Sequence, residues 1–420
     1  MDTVTVTFTL ADWITKGLAD GNYERIGGVI REVGSKQVVA WLREAGLITS
    51  NLPLPADPVT GVLNLIVSGA NTAISAKGFS DVKQQLGGIE KQLGLVGKGL
   101  QQVEGALQVT TALSMLNLGV SVMGFAVINQ RLNELEQRLK KAEELLKKID
   151  RKIDLGFYAK FRAAINLAIN AFTMSKAENR RSSALSAISL FLEAEHIYTD
   201  YTETELAQKS QIADEYLLTL SLAYLAEARC YLELEEHDTA LSRFQEGAKV
   251  VRSFIQQYVD LLLTTNPAAY LQPQFKDQID LRRLTRIYQW IDPNLDENAL
   301  FELQRENLFK LAQNPNKWVE SLPPAILTRI EVKGGLFGPN QGELKQEADK
   351  RLPQVLEVIE SMVETNRRFE SYQTEIQAIR QLGISFHDWL KLTPANEDKP
   401  EGAELMFIVP KKPLELVTAS

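Results

Sequence analysis

With 420 residues, 45% hydrophobic and 24% charged, the chain has the composition of a folded protein with room for roughly two or three cores. A formal net charge of −8 offers no global basic field, and acidic residues interleave with the local basic runs, so nucleic acid is not an expected partner. A single cysteine, Cys230, excludes an internal disulfide framework and fits a reducing compartment.

The opening MDTVTVTFTLADW has no basic region followed by an apolar core, so no secretory leader is read and the chain is expected to be cytoplasmic when made. Within it, Val4, Val6, Phe8 and Leu10 alternate with mostly Thr, which predicts a half-buried strand over 2–10. Helical runs are predicted at 10–19 and 35–45, separated by Gly21 and Gly27-Gly28, and Pro53, Pro55 and Pro58 mark a linker. Residues 1–52 therefore read as a small α+β module. A short uncharged stretch over 58–76, interrupted by Asn64 and Asn71, reads as a buried or interfacial helix.

A long-helix region is expected over 58–154. From Val82 a seven-residue register runs through Leu86, Ile89, Leu93, Val96, Leu100, Val103 and Leu107. After a one-residue slip near Ile128 it resumes at Leu132, Leu135, Leu139, Ala142, Leu146, Ile149 and Ile153. Six glycines between Gly87 and Gly105 weaken the first arm, each by about 1 kcal/mol against alanine. In the second arm the i,i+4 pairs Glu134–Arg138, Glu136–Lys140, Glu143–Lys147 and Glu144–Lys148 predict a firm helix with a solvated outer face.

Between the arms the polarity is inverted. The register positions are Thr110, Ser114, Asn117, Ser121 and Gly124, whereas Leu113, Leu116, Val120, Phe125 and Val127 lie off the seam. Gly105–Gln130 holds 26 residues without a charge, about 39 Å as one helix against roughly 30 Å of hydrocarbon. Small and polar residues at helical spacing suit helix contacts in lipid. A central helix buried on all sides of a bundle is equally charge-free, and periodicity alone does not separate the two. The polar seam favours lipid, because a dry core would have to satisfy every one of those groups.

This layout, an uncharged segment between two long heptad arms, resembles the long-helix α-pore-forming toxins over 58–154. The likeness is architectural and carries no residue motif. It implies a form with the segment tucked away, followed by exposure, insertion and oligomerisation.

The region 155–383 is expected to be a helical-hairpin bundle, with runs at 157–176, 180–200, 205–235, 238–264, 274–290, 296–313 and 344–382. Tyr224, Ala228, Tyr231, Ala240, Phe244 and Gly247 resemble one tetratricopeptide helix pair near 221–252. The pattern departs from that family at Glu227, where leucine is usual, and at Arg252, where a closing proline is usual. A tail over 384–420 contains the short apolar strand Leu405–Val409, the expected partner of the N-terminal strand. Thr328–Val332 and Leu336–Phe337 suggest a small hairpin. The fold class is thus mainly α, with a small β element joining the two chain ends.

No catalytic, cofactor or metal site is read. Glu193 and His196 have the spacing of half a di-iron site, but a second such motif is missing and a surface helix pair suffices. His237 follows Glu235-Glu236 at a helix end, and Ser385 with Asp388 reads as a capped turn beside His387. The glycines around Gly334-Gly335 lack a phosphate-loop ending. The expectation is a non-enzymatic protein that inserts residues 105–130 into a membrane and oligomerises through the seam, as a pore-forming toxin or cell-death effector does. Thr110, Ser114, Asn117, Ser121 and Gly124 would line the contact or pore, and the five apolar positions would face lipid. Its partners would be membrane lipid, further copies of the chain and a regulatory protein on the bundle. The alternative is a cytoplasmic coiled-coil scaffold that dimerises and binds a protein partner.

Overall fold

The computed structural model describes residues 3–44 apart from 11, 106–112, most of 132–140, 155–263 apart from 211, a few positions over 269–279, 281–302 apart from 297, 341–391 and 405–408. The described chain is mainly helical. Strand β1 (Thr3–Thr9) and helix α1 (Asp12–Ala19) open it, followed by β2 (Tyr23–Ile26), β3 (Val29–Glu32) and β4 (Val38–Glu44). Strand β5 spans Ala106–Ala112. The bundle consists of α2 (Leu155–Thr173), α3 (Ala177–Ala207), α4 (Ala213–Glu233) and α5 (His237–Leu262), then α6 (Leu281–Ile291), α7 (Gln341–Leu382) and α8 (Phe386–Lys391). Strand β6 (Leu405–Ile408) follows.

Successive bundle helices pack as hairpins, and α7 closes against α5. At the centre, every residue of α4 from Ala213 to Cys230 is buried. The turn before it falls at Lys209, in the left-handed region at φ 53°, so α3 runs to Ala207, well past its expected end near 200.

Three expectations for the β elements are corrected. Residues 38–44 form strand β4, not a helix. Val38 and Trp41 face the bundle core, while Val39, Ala40 and Leu42 join Leu10 and Ile14 in a separate small core. A strand covered on both faces loses its polar alternation and reads as a continuous apolar run. Gly27-Gly28 does not separate helices: it is the two-residue turn of the β2–β3 hairpin, with Gly27 at φ +54°. Finally, β6 returns to the N-terminal module, but it pairs with β4, giving the order β2-β3-β4-β6. Strand β1 instead pairs antiparallel with β5, Thr3 opposite Ala112 and Thr9 opposite Ala106.

That last pairing corrects the reading of 105–130 as one helix. Residues 106–112 are extended, because ALQVTTA, rich in β-branched side chains, complements TVTVTFT. The expected 328–337 hairpin, the 58–76 helix and residues 82–105 of the first arm lie outside the described residues, while that arm's last register position, Leu107, lies in β5.

Candidate functional site

Of the ten residues assigned to the seam and the lipid face, Thr110 lies within β5 opposite Thr5, outside any helical register. The other nine, Ser114, Asn117, Ser121, Gly124, Leu113, Leu116, Val120, Phe125 and Val127, lie outside the described residues. The two flanks of this stretch are visible. On the N-terminal side stands the β1–β5 ribbon, which rests on α7. On the C-terminal side Leu132, Leu135 and Leu139, all seam positions of the second arm, are buried in the main core. Tyr158 donates its hydroxyl to the Leu132 carbonyl, Arg162 pairs with Glu136, and Lys140 reaches Glu136 at 2.7 Å as the i,i+4 spacing predicts. Leu132, Leu135 and Leu139 are therefore buried against this chain's own bundle. Among the described residues, no helix is long and apolar enough to cross a membrane.

Inside the bundle the helix pair over 221–252 is α4–α5. Gly247 packs on the Tyr224 ring so closely that an added Cβ would meet its Cγ at 2.7 Å. Both departures from the tetratricopeptide pattern are polar joints. Arg252 donates to Asn366 Oδ1 at 3.1 Å and to the Trp290 carbonyl at 2.9 Å, with its guanidinium 4.6 Å from the Trp290 ring, so it staples α5 to α6 and α7. Glu227 accepts from Arg243 Nε at 2.6 Å, and the same guanidinium also holds Glu195 and the more exposed Glu246.

Glu195 and Glu227 are nearly devoid of solvent, and each keeps one oxygen, Oε1, without a partner when both are counted as acceptors. Burial first, then the Glu227 charge, pushes the Glu195 carboxyl well above the usual range. Burial also raises Glu227, against the pull of Arg243. A proton kept on Glu195 turns two orphaned acceptors into a donor and an acceptor, and leaves Arg243 facing one buried carboxylate instead of two.

At one end of the bundle a cleft of about 470 Å³ is lined by Arg180, Arg181, Glu233, Glu235 and His387 among others. Glu235 is left-handed, at φ 59°, a helix-ending position that glycine usually takes. Its carboxylate accounts for the residue type: it accepts the Phe386 amide at 3.1 Å and lies 3.0 Å from His237 Nε2. Glu233 takes Arg229 and lies 3.6 Å from His387, while the buried Arg229 guanidinium stacks 4.3 Å from the Phe386 ring. Each cleft carboxylate is thus engaged in pinning α8. Ser385 caps that short helix in the predicted way, its Oγ accepting from Asp388 N at 3.0 Å and donating to the Asp388 carboxylate at 2.9 Å. Glu193 is paired with Lys160 at 3.2 Å, and His196 is exposed.

Among the described residues, no three His, Cys, Asp or Glu side chains gather in a way that could hold a metal ion. The buried Glu195–Arg243 centre was not legible from local spacing, because its partners stand 48 residues apart. Compared with known protein families, curated proteins and solved structures, the chain finds no match.

Proposed function

We propose that this protein acts on membranes by releasing and inserting the uncharged stretch that lies between β5 and Leu132, and that it oligomerises through the small and polar residues of that stretch. The observation that carries the reading is the 26-residue run without charge from Gly105 to Gln130. Its support is that both flanks are tied to the folded body, one in the β1–β5 ribbon and the other at Leu132, Leu135 and Leu139. Residues 113–130 would make a helix of about 27 Å, just short of roughly 30 Å of hydrocarbon. Opening the ribbon would lengthen it toward about 39 Å. In this scheme β1 withholds the residues needed for a comfortable span. Ser114, Asn117, Ser121 and Gly124 would meet neighbouring copies, and Leu113, Leu116, Val120, Phe125 and Val127 would face lipid.

The test is flotation with liposomes and release of trapped dye, at neutral and acid pH, with anionic and with zwitterionic lipid. Flotation and leakage are expected, and the Ser114→Leu/Asn117→Leu double variant should fold normally but lose leakage. Recovery of the whole protein in the soluble fraction under every condition would overturn the proposal and favour the scaffold alternative.

A further inference from the structure

The joint between the N-terminal sheet and α7 concentrates arginines. Arg25 on β2 forks Glu364 with bonds of 2.9 and 2.8 Å and donates to the Gly27 carbonyl at 2.8 Å. Arg368 reaches the same carboxylate at 3.3 Å. Burial alone would raise Glu364, but the charge and hydrogen bonds of Arg25, followed by the charge of Arg368, bring it down to about 2. The hairpin turn sits directly on this part of α7. Gly28 N donates to Ser371 Oγ at 3.0 Å, and a Cβ on Gly27 would lie 2.6 Å from the Arg367 carbonyl oxygen.

From the other side α6 runs parallel to α7. Arg283 forks Glu360 at 2.9 and 2.7 Å, and seven residues later Trp290 Nε1 donates to Asn366 Oδ1 at 3.1 Å. Arg286, one turn beyond Arg283, is thereby brought near enough to Arg367 for its charge to be felt there.

Arg367 itself is left over. Arg25, Arg252, Arg283 and Arg368 each have a hydrogen-bonded acceptor, whereas Arg367, among the described residues, makes neither a hydrogen bond nor an ion pair, and it is only partly open to solvent. Burial, then the charge of Arg25, then that of Arg286 lower its affinity for its proton, while Glu364 and Glu370 act in the opposite sense. Those carboxylates are already engaged or distant: Glu364 is shared by Arg25 and Arg368, and Glu370 lies 3.9 Å from Arg252. Glu24, the third acid of the neighbourhood, is held by Arg31 at 2.7 Å and Lys36 at 2.8 Å. Water can reach its N–H groups, but a guanidinium set among like charges gains from an anion that replaces that water and offsets those charges.

We infer that Arg367, flanked by Arg25 and Arg286 between the β2–β3 turn and α6, anchors a binding site for a phosphate group. A phosphate carries the charge to compete with Glu370, and three oxygens that more than one guanidinium can share. Free phosphate esters and anionic lipid headgroups present the same chemistry. The inference does not rest on the membrane-insertion reading, since a soluble scaffold could use the same site.

The test titrates inorganic phosphate into the full chain by calorimetry at constant ionic strength, with chloride as the control anion. Saturable binding is expected, weakened about ten-fold or more by Arg367→Gln and less by Arg367→Lys. Without phosphate, Arg367→Gln should be at least as stable as the parent, because it removes an uncompensated charge. A second arm compares flotation with phosphatidylcholine vesicles with and without phosphatidic acid. Flotation that needs phosphatidic acid and is lost in Arg367→Gln assigns the site to a lipid headgroup. Phosphate binding without flotation assigns it to a soluble phosphate ester. No saturable phosphate binding, or binding that Arg367→Gln leaves unchanged, overturns the inference.

Discussion

Replacing Glu195 by Gln should stabilise this protein, and the gain should grow with pH. In the fold Glu195 and Glu227 share one guanidinium, that of Arg243, and their two remaining oxygens are unpartnered acceptors. The geometry is satisfied when Glu195 keeps a proton, and burial together with the Glu227 charge drives it to do so. In the unfolded chain the same carboxyl titrates near 4.3. The folded state therefore binds one more proton than the unfolded state at every pH between that value and the raised folded one. Stability from this group is complete below the unfolded value and is lost as pH rises toward the folded one. The loss approaches 1.36 kcal/mol per pH unit, so between pH 5 and 8 it amounts to at most about 4 kcal/mol. Glutamine supplies a permanent N–H to Glu227 and a carbonyl to Arg243 with no proton to take up. Urea unfolding of parent and variant at pH 5, 6.5 and 8 reads the effect of this cluster, because titrating groups outside Glu195, Glu227 and Arg243 cancel in the difference. Equal stability differences at all three values, or a variant uniformly less stable, would refute the shared-proton geometry.

Two further outcomes follow from the packing. Gly247→Ala gains about 1 kcal/mol of helix propensity, but its Cβ meets the buried Tyr224 ring at 2.7 Å, and overpacking of that kind costs about 1–3 kcal/mol, so a lower urea midpoint is expected. Glu364→Gln leaves Arg25, 14% exposed, without its counter-charge, a loss of up to about 3–5 kcal/mol at neutral pH. The parent should retain that contribution above the unfolded carboxyl value and lose it as pH falls toward about 2, whereas the variant should show no such loss, which acid titration of unfolding by circular dichroism would read.

The helices were legible where one face of the pattern met solvent. Residues 155–173 and 237–262 alternate buried and exposed positions at helical spacing, and their extents, like that of 341–382, fall close to the expected runs. Legibility failed where burial erased that contrast. Strand β4 is covered on both faces, so its apolar run imitated a helix. Strand β5 sits in a stretch whose seven-residue spacing continued through it, and only its partner β1, about a hundred residues earlier, makes it extended. The β2–β3 hairpin is two short strands around Gly27-Gly28, and a glycine pair between short runs serves a helix boundary and a hairpin turn alike. The centres at Arg243 and Arg367 are assembled from different helices, and no local spacing announces them.

The most buried helix also bears on what a charge-free stretch signifies in this protein. Helix α4 is enclosed by α3, α5, α2 and α8, yet it carries Asp214, Glu215, Glu227 and Arg229 in its buried span. At least two of these charges have a counter-charge at hand: Arg243 on α5 for Glu227, and Glu233, one turn further along α4 itself, for Arg229. Burial at the centre of this bundle therefore does not select against charge, since paired polar joints serve there instead. Among the described residues the enclosed helix is α4, which carries charges, and Ala106–Ala112 of the uncharged run lie in β5. On the proposed insertion these 26 consecutive uncharged residues would meet hydrocarbon, which supplies no counter-charge, and this is what their lack of charge would serve.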